Sequence, residues 1–220
     1  MQAQNHPTRQ ERARPSQTIT QEDTKRLRTI LENNSVIERI LRRTPRLQMP
    51  NWYLGAGCIA QTVWNSLHGF ELTRNIQDYD LAYFDSTDLS EETEERTIQK
   101  AQSALGDLGV TIDVKNEARV HLWYKNHFGN AIRPYRSIED AIASWPTTAT
   151  SIGVRYENGN LLVYAPFRLD DLFSMIVRPN RRQAEYFLTD EDNQKSREVY
   201  NQKAQKWVKA WPKLVVVPWE

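Results

Sequence analysis

Asp78 and Asp80 stand two residues apart in "NIQDYDLAYFD" (residues 75–85), a stretch that otherwise reads as a buried strand. Side chains alternate faces along a strand, so the two aspartates share one face while Tyr79 and Leu81 take the other. Carboxylates this close repel each other unless a cation lies between them. Hard divalent ions such as magnesium favour such oxygen ligands. An isolated D-x-D is more simply a strand end whose acids are solvated or meet arginines. Asp113 in "VTIDV" adds a third acid in mid-strand, with Val110, Ile112 and Val114 on the opposite face. It is either exposed on an open sheet face or the third member of a carboxylate cluster. "YLGAGCIAQ" supplies a glycine turn between a strand and a helix, where the Gly55 and Gly57 amides can approach a phosphate at the positive helix end. The same glycines could serve only a tight bend. The order glycine turn, helix, D-x-D strand, helix, single-Asp strand is more specific than any of its parts.

The elements that must position these residues follow from periodicity. In "TQEDTKRLRTILENNSVIERILRR", Leu27, Ile30 and Leu31, then Val36, Ile37, Ile40 and Leu41, recur at helical spacing. Asn34 and Ser35 offer a break and a fresh cap, which predicts two short helices. "NWYLGAG" reads as a short strand and "CIAQTVWNSLHG" as a helix ended by Gly69. "QDYDLAYF" is a strand. "TDLSEETEERTIQKAQSALGDLG" is a helix capped by Ser90 and ended by Gly106 or Gly109. "VTIDV" closes a strand–helix–strand–helix–strand series, the signature of an α/β core. Beyond it, "VHLWYKNHFG" and "SIEDAIASW" suggest short helices, and Asn158-Gly159 a β-hairpin. "RLDDLFSMIVRP" predicts an amphipathic helix stopped by Pro179. Residues 181–211 are expected to be mostly helical, and "PKLVVVPW" extended.

At 220 residues the chain suits one large domain with a real core. Residues 1–18 are expected to form a disordered tail. Residues 19–220 are expected to form a single domain with its core at about 50–180 and a helical C-terminal part at about 181–220. The net charge of +1 gives no case for bulk attraction to nucleic acid or acidic membranes, so any anion binding must be local. No apolar run approaches the roughly 20 residues of a membrane span, and "MQAQNHPTRQERARPSQT" lacks the apolar centre of a secretory signal. Cys58 is the single cysteine. It excludes an intrachain disulfide and a cysteine-cluster metal site, and fits a reducing, cytoplasmic setting.

The series "LGAG … DYDL … IDV" resembles the core of the DNA polymerase β-like nucleotidyltransferase superfamily. Longer stretches are similar to a small stand-alone nucleotidyltransferase-like branch of bacteria and fungi: "GAGCIAQTVWNSLHG", "DYDLAYFD", "HLWYKNHFG", "SIEDAIASWPTTATSIGVR", "VYAPFRLDDLFSMIVRPN" and "KWVKAWPKLVVVPW". The resemblance implies an α/β (α+β) fold, a minimal nucleotidyltransferase core whose mixed sheet is flanked by helices. It implies a two-metal transfer of a nucleoside monophosphate from an NTP such as ATP to a hydroxyl-type acceptor: a small molecule, RNA or protein. Asp78 and Asp80 would hold two Mg2+ ions, with Mn2+ as a substitute. Asp113 would complete the second ion's shell and help deprotonate the acceptor. Gly55, Ala56 and Gly57 would support the terminal phosphates, and Arg178 would contact phosphate. The turn departs from the Gly-Gly or Gly-Ser of many members, which removes one hydroxyl hydrogen bond to phosphate.

Other residues have plainer readings. Arg178 is equally a cation at a helix C-terminus. Arg119 suits a surface ion pair with Glu117 or another acid, and His121 a packed histidine. Asp170 and Asp171 suit a helix start. Cys58 suits a small buried residue, and the tryptophans suit core packing. The rival functions are an inactive interaction or regulatory protein that keeps this fold, and a single-strand nucleic-acid binder using tryptophans with Arg178, Arg181 and Arg182.

Overall fold

The computed structural model describes residues 18–219, so the expected tail lies, but for Thr18, outside the described residues. Helices α1 (Gln21–Asn33) and α2 (Ser35–Arg43) open the fold. Asn34 divides them: its Oδ1 accepts from the amides of Val36 and Ile37 at 3.1 and 3.3 Å. Its Nδ2 donates to Thr62 Oγ1 at 2.9 Å, so the cap that starts α2 also ties it to the next helix. The core series follows as β1 (Tyr53–Gly55), α3 (Gly57–His68), β2 (Asp78–Tyr83), α4 (Glu91–Leu105) and β3 (Thr111–Asn116). Ser90 Oγ caps α4 by accepting from Thr93 N at 3.3 Å, and Gly69 ends α3 at φ 70°.

Two short helices, α5 (Val120–Phe128) and α6 (Ile138–Ala143), lead to the hairpin of β4 (Gly153–Glu157) and β5 (Asn160–Tyr164). Its turn residues, Asn158 and Gly159, both have positive φ, 50° and 78°, as a tight two-residue hairpin requires. The sheet order is β3-β2-β1-β4-β5. β2 and β3 pair in parallel and the other neighbours are antiparallel, so the sheet is mixed. One face, with Leu54, Tyr79, Leu81, Val114 and Val154, is buried under α1 to α4 through Leu27, Leu31, Ile37, Ile59 and Val63. The other face carries a smaller apolar cluster of Tyr53, Ala82, Ile138 and Ile142 under α6, and its acidic end is left open.

The last quarter of the chain departs from expectation. The helix expected through "RLDDLFSMIVRP" is one turn, α7 (Asp170–Phe173), because Met175 turns the backbone to φ 55°. β6 (Ile176–Val177) then runs parallel to β7 (Val215–Val216), a partner almost forty residues away. Between them, residues 181–185 form a 3-10 turn, and α8 (Asp190–Ala210) is the long helix. Among the described residues no helix is long and apolar enough to cross a membrane.

Candidate active site

The β2–β3 register sets Asp80 opposite Asp113 and Asp78 opposite Thr111, so the three aspartates share the open face of the sheet. Gly55 pairs with Asp80 on the other side, which brings the glycine turn beside the acids. Asp78 is exposed, and Asp80 and Asp113 are half-buried. Loss of hydration and then the charges of Asp78 and Asp113 raise the Asp80 carboxyl to about 7; the Lys115 and Lys203 charges oppose that rise. The acids therefore feel one another, as an incompletely compensated cluster does. Asp113 is itself ion-paired with Lys115, two residues along the same strand face. Among the described residues no three Asp, Glu, His or Cys side chains converge to hold a metal ion. The Asp78–Asp80 pair offers the oxygen donors a divalent ion takes, while one Asp113 oxygen is engaged by Lys115.

The turn before α3 is strained. Ala56 adopts φ 56° and ψ −130°, a region that a residue with a Cβ rarely visits, while its amide donates to Ile152 O at 3.0 Å. Among the described residues no side chain caps α3, which leaves its first amides for an anion. The glycines differ in purpose. A Cβ on Gly55 would lie 2.5 Å from Ile152 O and 2.9 Å from the Trp145 ring, so close packing excludes any side chain. A Cβ on Gly57 would meet only the Gln61 amide at 3.1 Å, the movable end of a flexible side chain. Cys58 is buried and donates to Gly55 O at 3.1 Å, and burial with the Asp80 charge pushes its thiol well up, away from nucleophilic use.

Arg178 follows β6 rather than ending a helix. Its Nε donates to Asp171 Oδ2 at 3.0 Å, and Thr148 Oγ1 donates to the same oxygen at 2.6 Å. Arg119 is buried, not at the surface. It pairs with Glu94 and donates to Leu89 O at 3.2 Å, bracing the start of α4 against the strand end. Asp170 and Asp171 do begin α7. His121 is half-buried, and its Nδ1 has no hydrogen-bond partner among the described residues. The tryptophans pack: Trp64 lies edge-on to Trp207 and Trp211 at 5.5 and 5.6 Å.

Two residues beside the acids were not read from sequence as part of the site. Lys115 lies on the Asp113 face of β3 and Glu117, expected only as a partner for Arg119, follows just past the strand's end; their alternation with Asp113 was the available signal. Glu117 is buried, and desolvation raises its carboxyl to about 8.

The family model described as "Nucleotidyltransferase" matches residues 42–216. A solved structure, "The NMR structure of the protein reveals a CCA-adding enzyme head domain", is similar at a TM-score of 0.69 and 23% identity, covering 87% of this chain and 96% of that one. A search of curated proteins finds no match. A family match over most of the chain decides the matter: this protein belongs to the nucleotidyltransferase family, with the polymerase β-like core that its sequence led us to expect.

Proposed function

We propose that the open face of β2 and β3 is the catalytic centre of a metal-dependent enzyme that moves a nucleoside monophosphate from an NTP to a hydroxyl-type acceptor. The observation that carries this reading is the register that sets Asp80 beside Asp113 on one side and Gly55 on the other. In the transfer, an acceptor oxygen bonds to the α-phosphorus, the bond to the bridging oxygen breaks, and pyrophosphate leaves. Asp78 and Asp80 would hold the divalent ions, Mg2+ or Mn2+, with Asp113 as the third ligand. When bound, such ions neutralise phosphate charge and activate the attacking oxygen. Asp113 takes part in removing the acceptor's proton. Gly55, Ala56 and Gly57 carry the uncapped α3 amides to the terminal phosphates, and Arg178 adds a cation once Asp171 shares it. Positioning and charge neutralisation are the main demands on the protein. The acceptor is a small molecule, RNA or protein, and the likeness to a protein titled as a CCA-adding enzyme head domain makes RNA the first to test.

Pyrophosphate release from each NTP, with magnesium and a panel of acceptors, tests the reading. Asp78→Asn and Asp80→Asn should each abolish release and metal-dependent nucleotide binding. Retained turnover in either variant overturns it. The Lys115–Asp113 pair favours one rival, a protein that binds NTP and metal without turnover. That rival predicts magnesium-dependent thermal stabilisation by NTP with no pyrophosphate from any acceptor.

A further inference from the structure

Helix α5 carries an aromatic stripe that its neighbours cover only in part. Val120, Trp123, Tyr124, His127 and Phe128 fall at the i, i+3, i+4, i+7 and i+8 positions that share one side of a helix. The first turns of the stripe pack inward: Val120 is buried with Ile132 and Phe187, and Trp123 and Tyr124 lie against them. The stripe then outruns its cover. His127 and Phe128 are exposed, and Phe128 at 51% leaves about half of its surface for a further contact. The rings brace one another, with Phe128 4.6 Å from His127 and 4.7 Å from Tyr124, and Trp123 edge-on to His127 at 5.9 Å.

The charge around these rings is one-sided. No aspartate or glutamate stands between Glu117 and Glu139 in the chain. Lys125, Arg133 and Arg136 of that segment are exposed, and none has a carboxylate within 4.0 Å among the described residues. Lys195 of α8 donates to Gly129 O at 3.3 Å, just past Phe128, and holds Glu191 in an ion pair. The rings also stand on the acids' side of the fold. α5 opens four residues beyond β3, and burial together with the Glu117 charge pushes the Tyr124 phenol up to about 12. Glu117 in turn feels the charges of Asp80 and Asp113.

Open ring faces take other rings, and cations with no acids among them take phosphates. Unpaired bases on a sugar-phosphate strand present both. A cationic ligand, which aromatic rings can also hold, would be repelled by Lys125 and its neighbours. We propose that the uncovered end of α5 is a stacking platform for single-stranded RNA and holds the acceptor strand a few nucleotides short of the acids. The proposal rests on the functional reading above and names its acceptor. Phe128 and His127 take the bases and Lys125 takes a phosphate. All three bind and position, and none touches the reacting atoms.

Fluorescence anisotropy of a labelled oligoadenylate of about 12 nucleotides, within the span of single-strand sites, measures the affinity directly. Wild type is compared with Phe128→Ala, Phe128→Trp and Lys125→Ala, and duplex RNA of the same length serves as the control. Phe128→Ala should lose roughly 5- to 100-fold, the scale of one lost base stack, at an unchanged melting temperature. Phe128→Trp should restore the affinity, because the stack needs a ring rather than a phenyl group. Lys125→Ala should lower the slope of log affinity against log salt by about 0.7, as the loss of one phosphate contact does. Duplex RNA, whose bases are already stacked, should bind weakly. If wild type does not bind the strand, binds duplex equally well, or binds no better than Phe128→Ala, the platform falls. Pyrophosphate release from NTP with another acceptor would then leave the reading of the site in place. If binding depends on Phe128 but wild type releases no pyrophosphate with any acceptor, the platform stands and the reading of the site falls. Loss in Phe128→Ala of binding to phosphatidylcholine–phosphatidylserine vesicles, or of a dimer, with RNA affinity unchanged, would assign this surface to another partner and overturn the proposal.

Discussion

Asp80 loses hydration beside α3 and faces two further carboxylates, and its carboxyl rises from the ordinary 3.8 to about 7. The folded protein therefore holds this proton more tightly than the unfolded chain does. Wherever the folded state binds more protons, stability falls as pH rises, here from about pH 4 to about pH 7. Glu117, raised from 4.5 to about 8, extends the same slope upward. In metal-free protein the melting temperature should fall between pH 5 and pH 8. Asp80→Asn should flatten that slope and raise the melting temperature at pH 8 by roughly 2–4 °C for each kcal/mol recovered, with a smaller gain at pH 5. Magnesium should stabilise wild type and not the variant. A variant less stable than wild type at pH 8 would refute this account of Asp80. At this scale the sequence was informative about acids and poor about partners. Spacing alone put Asp78 and Asp80 on one face, while Asp113 was left either exposed on an open sheet face or third in the cluster until the β2–β3 register set it opposite Asp80. It could not show that Lys115 pairs with Asp113, or that Arg119 finds Glu94 twenty-five residues back, because pairing depends on which side chains fold into reach.

The β1–α3 turn concentrates two requirements in three residues. Ala56 is held at positive φ, at a cost of about 1–3 kcal/mol for such strained backbone. Gly55 leaves no room for a methyl group. Gly55→Ala should destabilise by about 1–3 kcal/mol, the usual penalty of overpacking. Gly57→Ala should be nearly neutral for folding. Urea unfolding distinguishes them, and nucleotide affinity of the stable Gly57→Ala protein then reports on phosphate approach alone. Equal loss of stability in both variants would contradict the separation of roles. The alternation of strand and helix around this turn was legible because local periodicity decides it, as was the Asn158-Gly159 hairpin. The helix through residues 168–179 was not. Its apolar pattern is compatible with helix, but Ile176 and Val177 gain a parallel strand partner at Val215 and Val216, a contact between residues almost forty apart.

Across the whole molecule, one buried cluster gathers side chains from Leu27 to Leu214, and α8 closes it. Trp211 donates from Nε1 to Asn65 Oδ1 at 2.7 Å and is buried against Trp64. Trp211→Ala should cost roughly 3–5 kcal/mol in urea unfolding, the range for removing a large buried aromatic. A cost under about 1 kcal/mol would mean that α8 is not an integral part of the core. The return of α8 to α3 was beyond sequence reading, since its polar surface gives no address for docking. It also bears on how the protein is made. Trp64 emerges from the ribosome some 140 residues before the indoles of Trp207 and Trp211 that shelter it. Through most of translation the nascent chain presents a bare aromatic surface of the kind chaperones grip. A product cut short by a nonsense codon ahead of those indoles would be recognised as unfinished and degraded, and would not persist as a half-working enzyme.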